Sequence, residues 1–168
     1  MENKNTKNQQ TAVLNILAEL EIPYILHEHE AVFTIAQSEK HWDKMEGKHC
    51  KNLFLRGRKG KQHYLVVLQH DKKISLKVLG RFVGNQRLSF ASPTRLEHFL
   101  GVQTGSVSPF GLINDTEHHV IVLIDKDLQT AEKVNFHPNV NTASLTMSFA
   151  DFEKYLKWTK NAYQFIEA

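Results

Sequence analysis

The sequence predicts an α+β fold built around a mixed β-sheet, on three observations. Short apolar strand-like runs and amphipathic helical segments are interspersed without a strict βαβ rhythm. The length of 168 residues, 41% of them hydrophobic, suits one domain with a sizeable core. No internal repeat or low-complexity linker divides the chain. A single domain over residues 1–168 is therefore expected.

The elements follow in order. Residues 1–10 are polar and are expected to fray. Val13, Ile16, Leu17 and Leu20 lie at helical spacing, so a helix is expected over Thr11–Glu21, with Pro23 beyond its end. Tyr24 to His27 reads as short and extended. Thr34-Ile-Ala-Gln37 has the spacing of a capping box and predicts a helix through about Lys44. Lys51–Arg56 and Tyr64–Gln69 are apolar strands joined by the turn-like, basic GRKGKQ, a hairpin signature. Ser75–Phe82 reads as a short helix and Leu88–Ala91 as a short strand. Ser92 then Pro93 give an N-cap and proline at the first helical position, with Gly101 as the stop, so a helix is expected over Pro93–Leu100. His119–Ile124 is the most apolar strand, followed by Lys133–Phe136 and Ala143–Met147. Ser148 and Asp151 frame a last helix from Phe149 to about Lys160.

Composition narrows the class of function. The formal charge of +3 permits a nucleic-acid partner without requiring one. The one cysteine, Cys50, forms no internal disulfide and no C-x-x-C zinc motif, in keeping with a reducing cytosol. No apolar h-region marks the segment MENKNTKNQQ, and no apolar run approaches the ~20 residues of a membrane helix. A cytoplasmic protein without membrane contact is expected.

Several segments could carry chemistry. In GSVSPFG, Gly105 to Gly111, Pro109 forbids a central strand, while the glycines allow a close approach of backbone. Its neighbours Val102, Val107 and Phe110 could wall a small apolar pocket, and its N–H groups could face a carbonyl oxygen where negative charge develops. The structural alternative is an ordinary turn. Strand alternation puts Lys51 in register with Leu53 and Leu55, opposite Asn52, Phe54 and Arg56. A lysine there is either functional or a strand-end cation that snorkels to water. Cys50 points away from Lys51 and has only the adjacent His49 as base, poor geometry for a thiol nucleophile. The ten histidines show no H-E-x-x-H and no third-ligand spacing, so no metal is expected. FHPN, Phe136 to Asn139, ends a strand, either as a plain turn or beside a pocket.

Taken together, VFTIAQSE (Val32 to Glu39), KNLFLRG (Lys51 to Gly57), GVQTGSVSPFGL (Gly101 to Leu112) and FHPN resemble the YbaK/prolyl-tRNA synthetase editing-domain family. The likeness is greatest to its free-standing PrdX or ProXp-ala type, and it runs from about Ile16 to Tyr155. The resemblance implies a mixed, partly barrel-like sheet and hydrolysis of alanine wrongly esterified to proline tRNA. It implies action in trans, with no cofactor. It assigns a catalytic role to Lys51, Gly105 and His137. It places Thr34, Val102, Ser106, Val107, Ser108, Pro109, Phe110 and Gly111 around the substrate. Arg56, Arg58, Lys59 and Lys61 form a basic hairpin suited to tRNA phosphates, or a merely solvated turn. The implied partners are the tRNA(Pro) acceptor end and, as a docking partner, prolyl-tRNA synthetase. Other members remove cysteine, serine or threonine, so the amino acid stays open. A non-catalytic module docking on synthetase or tRNA, and a Cys50 thiol hydrolase, are the competing readings.

Overall fold

The computed structural model describes residues 4–168. The expectation of fraying for residues 1–3 lies outside the described residues. From Lys4 onward the chain is already helical, as α1, Lys4–Glu19. The apolar spacing that signals this helix starts only at Val13, so its polar first turns carry no periodic signal. Gln9 secures them by donating from Nε2 to the Gly101 carbonyl at 2.7 Å. Val13 and Leu17 are fully buried.

Strand β1, Ile25–Glu28, leads to α2, Ile35–Trp42. The Thr34 hydroxyl accepts from Gln37 N at 3.2 Å, and Gln37 Oε1 accepts from Phe33 N at 2.8 Å. This is a capping box with its return bond shifted one residue back. The helix stops at Trp42, where Met45 N closes a turn onto the Trp42 carbonyl, and none of its residues is fully buried. It is an outer wall.

Strands β2, Lys48–Arg56, and β3, His63–Gln69, form the expected antiparallel hairpin, with Arg56 opposite His63. Short α3, Leu76–Arg81, and β4, Ser89–Phe90, follow. Helix α4 occupies Pro93–Leu100, capped by the Ser92 hydroxyl and ended by Gly101 at φ 65°. Then come β5, Ile121–Asp125, β6, Lys133–Phe136, and β7, Ala143–Ser148. Helix α5, Phe149–Thr159, is followed by β8, Tyr163–Ile166.

The strands join in the order β1-β7-β6-β2-β3-β5-β8, with β4 added to β2. Pairs β2/β6, β3/β5 and β5/β8 are parallel and the rest antiparallel, so the sheet is mixed. The decisive strand is β2. On one edge it pairs with β3 over Cys50–Arg56. On the other it pairs with β6 only through Lys48 and His49, and with β4 only through Leu55 and Arg56. Cys50 to Leu53 therefore face no strand on that edge, a gap of roughly 13 Å at about 3.3 Å per residue.

Two buried clusters lie on the two faces of β3. Leu65 and Val67 belong to the larger one with Val122, Phe152 and Tyr155; Tyr64, Val66 and Leu68 belong to the smaller one with Leu55 and Leu79. Because both faces are covered, β3 reads as a continuous apolar run.

Strand β5 begins at Ile121 rather than His119. Val120 is instead held by a buried clamp: Asp115 Oδ2 accepts from Val120 N and from Asn161 Nδ2, both at 2.8 Å, and Asn161 Nδ2 also donates to the Val120 carbonyl at 2.8 Å. The clamp sets the entries of both β5 and β8. Asp115→Ala leaves a buried N–H and a buried amide short of an acceptor, at about 1–3 kcal/mol for each such group. Urea unfolding should show a fall of at least ~2 kcal/mol in stability, partly recovered by Asp115→Asn. A change below about 0.5 kcal/mol would mean that the clamp is not needed.

Candidate active site

The gap in the edge of β2 opens into a cleft of about 240 Å³. Residues His49 to Asn52 form one side and Asn135 to His137, at the end of β6, the other. Parallel pairing holds His49 beside Asn135, and past that point the two strands part. The α2 region covers a third side with Phe33, Thr34, His41 and Trp42, and the loop at Gly105 and Val107 a fourth.

The GSVSPFG segment divides into two halves with different jobs. Gly105 has φ 91°, a region that disfavours side chains, and a Cβ there would meet Phe33 Cδ1 at 3.6 Å. Neither Gly105 N–H nor Val107 N–H makes a hydrogen bond within the described residues. Asn52 Nδ2 donates to the Val107 carbonyl at 3.3 Å and ties the loop to the open edge of β2. From Ser108 on, the chain is structural. The buried Ser108 hydroxyl accepts from Phe110 N at 3.2 Å and starts a 3-10 helix over Pro109–Asn114. Tyr155 Oη donates to the Pro109 carbonyl at 2.8 Å, and Asn139 Nδ2 to the Phe110 carbonyl at 3.2 Å. Gly111 lets the turn lie against Leu100, where a Cβ would sit 2.8 Å from the Leu100 Cβ.

The expected site residues thus separate. Lys51, Thr34, Gly105, Val107 and His137 border the cleft. Val102 and Phe110 are core residues, because Phe110 packs on Phe136 and Tyr155. Ser106, Ser108, Pro109 and Gly111 are buried beside the cleft rather than on it. The apolar residues that do face it, besides Val107, include Val32, Phe33 and Met45.

Lys51 is partly buried, and its Nζ donates to the Lys72 carbonyl. The alternation argument is visible in its neighbours, since Leu53 and Leu55 pack in the smaller cluster and Cys50 and Phe54 in the larger. His137 Nδ1 donates to the Ala143 carbonyl at 2.7 Å, which fixes its tautomer and leaves Nε2 as an acceptor. Burial holds its pKa below the usual value, outweighing that hydrogen bond, with His29 adding to the lowering. His29 is lowered in the same way, chiefly by burial; it stacks on His41 at 4.8 Å and meets the Ser144 hydroxyl at 3.0 Å. His49 stacks on Trp42 at 4.2 Å, and burial, with His70 nearby, pushes it down to about 4. His29, His49 and His137 thus face the cleft as neutral imidazoles. Burial pushes the Cys50 thiol far up, away from thiolate. Among the described residues no three His, Cys, Asp or Glu side chains group as metal ligands.

Two polar atoms at this cleft are buried and unpartnered: Asn52 Oδ1 and His70 Nδ1. Sequence reasoning passed over both residues. Asn52 follows the lysine of the motif, but nothing in its spacing reveals the gap it faces. His70 lies past a strand end, and only the β2/β3 hairpin brings it beside His49.

The basic hairpin stands at the other end of β2. Arg58, Lys59 and Lys61 are exposed, and Arg56 is half-buried. Arg95 Nη1 donates to the Gly60 carbonyl and to His63 Nε2, both at 3.0 Å. His63 must then carry its proton on Nδ1 and donate to His119 Nε2, also at 3.0 Å. His63 is 1% exposed, and burial, with nearby positive groups, pushes it down to about 4.

The family model described as aminoacyl-tRNA editing domain matches residues 29–155. The chain belongs to that family. It is accordingly an aminoacyl-tRNA editing hydrolase. It is 46% identical over 156 residues to the prolyl-tRNA editing protein ProX of Acetoanaerobium sticklandii, covering 93% of this chain and 95% of the relative. It is 38% identical to the prolyl-tRNA synthetase associated domain-containing protein 1 of Mus musculus, covering 79% and 80%. A solved structure put forward as a trans-editing enzyme for prolyl tRNA synthetase superposes with a TM-score of 0.69 at 22% identity, covering 95% of each chain, which shows the shared fold. The mixed α+β architecture is the one expected. No helix among the described residues is long and apolar enough to cross a membrane.

The depressed histidines make a prediction about acid. His49 and His63 are neutral in the fold down to about pH 4 but titrate near 6.5 when unfolded. Between those values the unfolded chain binds more protons, so stability falls as pH drops from 6.5 to about 4. Melting at pH 7, 5.5 and 4.5 should show this decline, and His63→Gln should flatten it. An unchanged slope in the variant would remove His63 as a source.

Proposed function

We propose that the protein, as one domain over residues 1–168, removes alanine wrongly esterified to proline tRNA, acting in trans on the acceptor end. The single observation that carries this is the meeting at one cleft of Lys51, His137 and the two loop residues with unpaired N–H groups, Gly105 and Val107. About 240 Å³ is less than the ~300–1,000 Å³ usual for drug-sized ligands, which suits a small acyl group on its ribose. A synthetase that rejects a smaller competitor by fit alone gains only about 1–3 kcal/mol per methylene, so a second, hydrolytic selection has a purpose.

In the mechanism, water attacks the ester carbonyl, positioned by the neighbouring ribose hydroxyl. Gly105 and Val107 N–H groups supply donors for the oxyanion. The acyl–oxygen bond breaks, releasing the amino acid and the free tRNA hydroxyl. Lys51 anchors the terminal phosphate or polarises the ester, and the neutral His137 offers an acceptor for a substrate proton. No protein nucleophile is needed. The basic hairpin takes tRNA phosphates about 20 Å along β2 from Lys51, at about 3.3 Å per residue. The setting is the cytoplasm, where charged tRNA is made, with prolyl-tRNA synthetase as a docking partner.

Selectivity against proline comes from size. Selectivity against serine is weaker than a wholly apolar wall would give, because the hydroxyl-bearing Thr34 and Ser38 also line the cleft. Single-turnover hydrolysis of Ala-, Ser-, Cys- and Pro-tRNA should be fastest on alanine and slowest on proline. Lys51→Ala should lose at least about tenfold, ~1.4 kcal/mol of transition-state stabilisation. Gly105→Val should also lose activity while its circular dichroism is kept. Cys50→Ser should stay active. Proline released as fast as alanine would sink the substrate assignment, and a fully active Lys51→Ala would sink the site. No hydrolysis by wild type would leave the non-catalytic docking module.

A further inference from the structure

The chain segregates its charge. Residues 47–96 carry 12 of the 21 lysines and arginines but, in Asp71, only one of the 18 carboxylates. This segment holds β2, the basic hairpin, β3, α3, β4 and the start of α4. Lys51 lies at the editing cleft and Lys72 is paired with Asp127, but Arg56, Arg58, Lys59 and Lys61 gather on the hairpin. Beside the hairpin lies a groove of about 590 Å³, separate from the editing cleft, with Lys77 and Arg81 of α3 on one lip and Arg87 on the other. Leu76 and Leu88 line it and pack onto the smaller core cluster. Lys77, Arg81 and Arg87 are exposed, and none forms a salt bridge within the described residues.

The groove is built rather than incidental. Gly80 of α3 lies so close to the opposite wall that a Cβ there would run into the Gln86 carbonyl. The Gln86 side chain fixes the groove to the hairpin. Its Nε2 donates to Tyr64 Oη and to the Val83 carbonyl, both at 2.8 Å, and its Oε1 accepts from Arg58 N at 3.3 Å. The hairpin and the groove are thereby held next to each other.

We infer that this groove is a second RNA-contact site, taking phosphates of the tRNA body while the hairpin takes those nearer the esterified end. The inference rests on the deacylase reading for the identity of the RNA. A cation row without carboxylates suits a polyanion, since each neutralised phosphate releases counterions. An apolar floor beneath the cations holds the long side chains in place along their stems. A nucleic acid whose end fills the cleft has its further phosphates tens of ångströms away, at about 3.4 Å per nucleotide of strand, and the hairpin to which the groove is tied stands about 20 Å along β2 from Lys51, at about 3.3 Å per residue. The groove therefore supplies affinity and orientation rather than chemistry.

The test uses the full chain with Lys77→Gln, Arg81→Gln and Arg87→Gln combined, and uncharged tRNA(Pro) as the probe. Binding is measured between 50 and 200 mM salt, alongside single-turnover hydrolysis at saturating Ala-tRNA(Pro). The expected result is affinity weakened about tenfold or more and a log–log salt slope shallower by about 2, near 0.7–0.9 per lost phosphate contact. The saturated hydrolysis rate and the melting temperature should be unchanged. Arg81→Glu with Arg87→Glu should weaken binding further. Unchanged affinity and slope would overturn the groove while leaving the deacylase reading intact. Wild-type binding to tRNA without hydrolysis would overturn the deacylase reading and leave the groove. Loss of binding to prolyl-tRNA synthetase with tRNA binding retained would overturn the groove in favour of an acidic protein partner.

Discussion

Strand β2 has more edge than its neighbours can cover, and the rest of the molecule is arranged around that fact. Strand β3 occupies one side, but β6 and β4 reach only the two ends of the other. An unpaired strand edge is costly when buried and sticky when exposed. Here it is neither sealed by another strand nor left open. It is roofed by α2 and by the loop at Gly105–Val107, with Asn52 donating to the loop across the gap. The cleft is the space that this incomplete pairing leaves.

A roof made of a loop needs a rigid attachment, because donors aimed at a developing charge help only if they are already in place. The attachment is the second half of the same loop. Tyr155 of α5 and Asn139, after β6, hold the carbonyls of Pro109 and Phe110. The Phe110 ring is fully buried between Phe136 and Tyr155. Glycine freedom at Gly105 and proline rigidity at Pro109 are thus used four residues apart. One gives the backbone access to the cleft and the other fixes where that backbone stands.

The electrostatics divide in the same way. Inside the cleft His29, His49 and His137 are kept neutral by burial, and Cys50 is kept protonated. These groups can accept or donate hydrogen bonds without presenting fixed charge. The cations that suit phosphates stand outside, on the hairpin and the α3 groove, where solvation costs little. Lys51 lies between the two regimes, partly buried and held by the Lys72 carbonyl.

The sequence by itself determined what depends on local chemistry. Thr34, Ser92, Pro93 and Gly101 set helix ends because capping involves residues only a few positions apart. The β2/β3 hairpin was legible because its turn is basic and glycine-rich between two apolar runs. Family resemblance singled out Lys51, Gly105 and His137, and the fold brings all three to one cleft. Tertiary structure decided the rest. Strand β8, only four residues long, exists because β5 offers it a parallel edge, and it carries too little pattern to announce itself. Val102 and Phe110 are apolar residues beside a glycine loop, and composition cannot say whether such side chains face a pocket or a core. Packing against Tyr155 made Phe110 core. Asn52 and His70 came to line the cleft only when β2 ran out of partners, since an unpaired edge is a property of strands far apart in sequence. Val134 opposite Lys48, 86 positions away along the chain, marks where that pairing starts.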